Sequence, residues 1–160
     1  MTELRDPVHQ VSPKARTLWR LQCAISGGVV VIGLVVAAVA WRECDARWWV
    51  VLAAALLAAA YTVVVPQWRY LVHRWEITET AVYTQRGWWA RERRIAPMSR
   101  VQTVDLAQGP LDRLFGLATL TVTTASAAGA LQVEGLDHDL ALQLSERLTR
   151  SAEAAGGDAT

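Results

Sequence analysis

The chain has 160 residues, 52% of them apolar and 19% charged, with eight Trp beside a single Phe and a formal net charge of +1. That is about one domain's length, but the apolar share exceeds what an ordinary soluble domain carries. The charge balance excludes a nucleic-acid footprint: acidic residues of the second half offset its arginines, and no aromatic stacking platform interleaves them.

Residues 1–20 form a basic lead that looks disordered and contains Arg5, Lys14, Arg16 and Arg20. Two charge-free runs follow, 21–41 and 48–65, each of a length that crosses a hydrocarbon core of about 30 Å at about 1.5 Å per helical residue. Between them, residues 42–47 are too few for a domain and too charged for lipid, so the two spans make a tight hairpin with both chain ends on one side. Arg5, Lys14, Arg16 and Arg20 before the pair and Arg69 and Arg74 after it outnumber Arg42 and Arg47, which makes both termini cytoplasmic. Ala38-Val39-Ala40 has the shape of a signal-peptidase site, yet the lead and the apolar run before it are too long for a signal peptide. Charge-free runs of this length also argue against two buried helices of a soluble fold.

Trp41, Trp48, Trp49 and Trp68 fall at span ends, where an indole sits between headgroups and acyl chains. Small residues at four-residue spacing, Ala24/Gly28 and Gly33/Ala37, suit close packing of the spans, and dimerisation through them is the sharper possibility. Cys23 and Cys44 read as free thiols, with no assigned role.

Residues 66–151 form the soluble, cytoplasmic part. After Pro66 the pattern alternates: Tyr70–Thr78 is a strand pointing Leu71, Trp75 and Ile77 one way, Ala81–Arg86 a second, Gly87 a turn, Trp88–Ile95 a third, and Arg100–Gln108 a fourth beyond Pro97. Ala118, Leu120 and Val122 alternate with Thr119, Thr121 and Thr123, and after a turn at 127–129 the partner strand puts Leu131 and Val133 inward. Asp137 caps a helix whose stripe is Leu140, Leu144 and Leu148 with Ala141 beside them, and 152–160 is a frayed tail. The fold class is a membrane helical hairpin followed by an α+β domain, an antiparallel sheet or partly open barrel of six or seven strands plugged by its terminal helix. In Gly109–Thr124, Gly-Pro ends a strand, Leu111, Leu114 and Phe115 make one helical turn plugging the sheet, and Gly116 permits reversal into the Thr-rich strand; Arg113 is left for contact with a partner.

Two spans, then Pro97, Arg100, Val101, Gln102 and Val104, then Gly109-Pro110-Leu111, Arg113 and Phe115-Gly116-Leu117, then Thr124-Ala125, then Gly135-Leu136 before the helix, together resemble the YdbS-like bacterial pleckstrin-homology (PH) domain membrane proteins. The likeness runs from Leu21 to about Leu148; the hairpin at Ser126–Gly129 and the heavily charged strand before it depart from the pattern. It implies a PH-like fold and membrane attachment, and it brings no catalytic residues.

No constellation of chemistry stands out. His9, His73 and His138 are far apart, and no Cys or Glu spacing joins them into a metal set; phosphate loops, nucleophile elbows and HExxH are absent from the sequence. A non-enzymatic protein without cofactor or metal is expected. The best binding candidate is the Arg-rich strand with Arg86, Trp88, Trp89, Arg91, Arg93 and Arg94, which either meets anionic headgroups at up to about 1 kcal/mol per Arg or is an ordinary strand with Glu92 among its arginines. Two functions follow: an interaction module serving a membrane protein assembly, by a protein partner or self-association, or a sensor of anionic lipid.

Overall fold

The computed structural model describes residues 7–40, 47–87, 90–126 and 129–157. In chain order these form β1 (His9–Gln10), α1 (Pro13–Ala40), α2 (Arg47–Val72), β2 (Arg74–Ile77), β3 (Ala81–Arg86), β4 (Glu92–Pro97), a single 3-10 turn (Met98–Arg100), β5 (Val101–Ala107), α3 (Pro110–Phe115), β6 (Leu117–Thr124), β7 (Leu131–Asp137) and α4 (His138–Gly157). Trp41, Arg42 and Cys44, the Trp88-Trp89 pair and the turn at 127–128 lie outside the described residues.

Both long helices are apolar enough to cross a membrane, and almost none of the most apolar stretch of either is covered by the rest of the protein. They pack side by side. The tight point is Gly27, where an added Cβ would come within 3.0 Å of Ala58 Cβ; Gly28 and Gly33 have nothing within 4 Å. Close packing thus uses small residues as expected, but at Gly27 rather than at the two spaced pairs.

The soluble part has two antiparallel sheets, β1-β2-β3-β4 and β5-β6-β7. One core fills the space between them: Trp75, Val82 and Ala96 from the first sheet, Leu117, Leu120, Val122, Val133 and Leu136 from the second, and Ala141, Leu144 and Leu148 from α4. The stripe of α4 is therefore Ala141-Leu144-Leu148, while Leu140 lies off it and is partly exposed. Helical structure continues past Ser151 to Gly157, into the expected tail.

The lead also differs from its expected disorder. His9 pairs with Trp75 and Gln10 with Arg74, so a strand preceding the spans completes the first sheet. Pro13 opens α1, where a missing N–H costs nothing, and Val11, Ala15, Leu18 and Trp19 enter the core. The membrane hairpin is thus inserted between the first two strands of the domain.

Pro66 does not end α2. It is fully buried, and the helix runs on to Val72, so the expected strand from Tyr70 starts only at Arg74. Neighbouring helices can re-satisfy what a proline frees in a membrane-spanning helix, and Thr62, one turn earlier, already returns its hydroxyl to the Ala58 carbonyl at 2.8 Å. Leu71 consequently lies on a helix and is half-exposed.

Two local devices join the hairpin to the sheets. Strand β7 bulges at Glu134-Gly135, where the register with β6 jumps from Val133↔Leu120 to Leu136↔Ala118, keeping both Val133 and Leu136 inward. Gly135 has φ +74°, and an added Cβ would sit 2.5 Å from Ala15 Cβ. Its carbonyl accepts the Ser12 N–H at 2.9 Å, which pins the start of α1 to the bulge.

Candidate functional site

At the boundary between hairpin and sheets is a cavity of about 620 Å³ formed by α1, α2, the β3–β4 connection and β7. Trp19 and Arg69 form one wall, the Arg69 guanidinium lying 4.2 Å over the indole. Arg69 sits in the last turns of α2 and donates to Glu134 of the bulge. One turn on, His73 is 3% exposed, its ring 5.6 Å from that of Trp19, and its Nδ1 has no hydrogen-bond partner. Burial first, and then the charges of Arg69 and Arg86, push its pKa down to about 4, so the imidazole is neutral at physiological pH.

The opposite wall carries Arg86 and Glu92, the two ends of the β3–β4 hairpin, paired at 2.9 Å. Glu92 also accepts from Arg94, and these two hydrogen bonds hold its carboxyl below the usual range. Counting Arg69 and Arg86 against Glu92 and Glu134, with His73 neutral, the cavity's charges balance.

Of the expected contact residues, then, Arg86 lines this cavity. Arg93 turns to Gln85, whose side-chain oxygen accepts its Nε at 3.1 Å, and Gln85 in turn donates to the Val72 carbonyl at the end of α2. Arg94 is held by Glu92 and also reaches the Ala130 carbonyl at 3.3 Å, tying β4 to the residue just before β7. Arg91 is exposed in the turn before β4. Trp88 and Trp89 lie outside the described residues. The strand is accordingly one in which several arginines do structural duty, with Glu92 at the centre.

Arg113 is elsewhere, on α3, which packs against α1 and β6. Asp112 caps this short helix by accepting the Gly109 N–H at 2.9 Å, and Gly116 closes it at φ +65°. Leu111 and Phe115 pack against the core as expected, but Leu114 is 76% exposed beside the exposed Arg113. A six-residue helix presents only one apolar side to the sheet, and Leu114 falls off it.

Sequence reasoning missed Trp19, Arg69, His73 and Glu134 as one cluster. Their spacing carries no motif, because α1, α2 and β7 meet there only through the inserted hairpin. Among the described residues no group of three or more His, Cys, Asp or Glu is placed to hold a metal ion.

The Bacterial PH domain family model matches residues 18–152. The transmembrane protein YdbS of Bacillus subtilis (strain 168) is 33% identical over 157 residues, which cover 96% of this chain and 98% of the relative. No solved structure matches the chain. Two apolar helices, two antiparallel sheets with a terminal helix and this likeness agree: the chain belongs to the bacterial PH-domain family, as a YdbS-like membrane protein.

Proposed function

We propose that the protein is a non-enzymatic subunit of a membrane protein assembly, holding a PH-like interaction domain rigidly at the cytoplasmic face of the cell membrane. The observation that carries this is the way the domain is mounted. Its first strand, its core residues Ala15, Leu18 and Trp19 and the Ser12–Gly135 hydrogen bond come from the chain before and at the start of the first span, and the far end of α2 runs directly into β2. A domain docked on its own spans presents one fixed face, so a membrane partner meets it with little ordering cost. Lys14, Arg16, Arg20, Arg69 and Arg74 lie on the domain's side of the spans, which supports the cytoplasmic orientation by the positive-inside rule.

Anionic-lipid binding through the Arg-rich strand is the weaker reading, because Arg93 and Arg94 already serve Gln85, Glu92 and Ala130, and Glu92 beside Arg86 opposes an anion that brings no positive charge of its own. The exposed Arg113-Leu114 pair of α3 is the better contact for a protein partner. The test is affinity capture of the full chain from mild detergent, with Arg113→Ala and Leu114→Ser alongside. A membrane protein captured by the parent chain and lost with both variants, at unchanged melting temperature, is the expected result. Capture indifferent to both variants, or a reporter after Thr160 active only outside the cytoplasm, would overturn it.

A further inference from the structure

The junction cavity does not stop at the sheets. Gln22, Cys23 and Tyr61 line both it and a second recess of about 580 Å³ that descends between α1 and α2 past Ser26, Ala54 and Leu57 to Val30. From Gln22 to Val30 the helix falls about 12 Å at ~1.5 Å per residue, along the membrane-spanning part of α1. The upper chamber sets two arginines and two glutamates, balanced in charge, among apolar walls; the lower groove is bordered chiefly by apolar side chains. A recess with a polar head and an apolar tail has the outline of an amphiphile.

We infer that this continuous recess holds one bilayer phospholipid with a zwitterionic headgroup, its head in the junction chamber and an acyl chain along the α1–α2 groove. Three observations select this occupant. Arg69 and Arg86 offer donors to a phosphate, and Glu92 and Glu134 offer acceptors to an ammonium, so such a head exchanges into existing pairs without leaving a charge uncompensated. An anionic head lacking the ammonium would take the arginines and strand the glutamates. Buried His73 has Nδ1 without a protein partner in the wall of the same chamber, and a headgroup oxygen meets that need. The Trp19 indole lies beneath Arg69 in the chamber wall, about one turn before Gln22 where the groove begins, and so puts an apolar surface between the charged pairs and the groove.

The full chain, delipidated in mild detergent, is titrated with phosphatidylethanolamine, phosphatidylglycerol or diacylglycerol and observed by native mass spectrometry. One phosphatidylethanolamine per chain should be retained, with the other two held about tenfold or more weakly, the loss expected for a missing charge-assisted hydrogen bond. Ser26→Trp, at the exposed mouth of the groove, should remove the adduct while leaving the melting temperature unchanged. The paired change Arg69→Gln with Glu134→Gln should weaken the preference over diacylglycerol, leaving only the Arg86–Glu92 pair to meet the head. Equal retention of all three lipids, or an adduct that Ser26→Trp leaves intact, would overturn the assignment.

Discussion

Replacing Gly135 with Ala tests whether the sheets are clamped to the membrane hairpin. Two costs are separable. Forcing a residue with a Cβ to φ +74° costs about 1–2 kcal/mol, and a Cβ only 2.5 Å from Ala15 Cβ adds an overpacking cost of about 1–3 kcal/mol. Gly116→Ala isolates the first, since Gly116 has φ +65° but nothing within 4 Å of an added Cβ. Denaturation in micelles, followed by fluorescence of the buried Trp19 and Trp75, should therefore show Gly135→Ala losing roughly 2–5 kcal/mol, against about 1–2 kcal/mol for Gly116→Ala. Adding Ala15→Gly to Gly135→Ala should restore about 1–3 kcal/mol, less up to about 1 kcal/mol for a glycine in the first turn of α1. If Gly135→Ala costs no more than Gly116→Ala, or Ala15→Gly rescues nothing, the Ala15–Gly135 contact does not hold helix and sheet together.

His73 ties stability to pH. Its pKa falls from 6.5 unfolded to about 4 folded, so the unfolded chain takes up the proton first as pH drops. Stability contributed by the neutral imidazole is complete above about 6.5, is lost as pH falls from there through about 4, and is reduced by about 2 kcal/mol at pH 5; His73→Asn should flatten that slope in melts recorded from pH 7 to 4. Asp112→Ala removes the acceptor for the Gly109 N–H and should cost about 1 kcal/mol, seen as a lower denaturation midpoint. A fragment of residues 67–160 lacks Val11, Ala15, Leu18 and Trp19 of the core, and should give neither a cooperative melt nor dispersed amide resonances; a well-folded fragment would refute the inserted-hairpin architecture.

Elements governed by local pattern were legible in the sequence. The Thr-alternating strand appears as β6, with Ala118, Leu120 and Val122 buried, and the Leu111–Phe115 turn appears as α3. What escaped depends on contacts distant in sequence. The two residues of β1 are too short for any periodicity to register, and they are ordered by pairing with β2 across the whole membrane hairpin. The alternation after Pro66 read as a strand from Tyr70, whereas the helix runs on to Val72 past a Pro66 that tertiary packing buries. The cavity escaped for the same reason: Trp19 and Glu134 are 115 positions apart and meet only around Arg69. Of the Arg-rich strand, Arg86 lines the cavity, while Arg93 reaches Gln85 and Arg94 reaches Ala130, partners that the alternation of the strand does not reveal.

The insertion of the hairpin after β1 also orders events during synthesis. Ser12 and its acceptor Gly135 are separated by 123 residues, an interval of roughly 6–25 s at about 5–20 residues per second. Through that interval the spans enter the bilayer while Ala15, Leu18 and Trp19 wait at its surface with no sheet to cover them. Both spans are thus made before the residues that close the core over them, and a chain cut short of Gly135 keeps both spans while Ser12 lacks its acceptor and the core lacks Leu136, Ala141, Leu144 and Leu148.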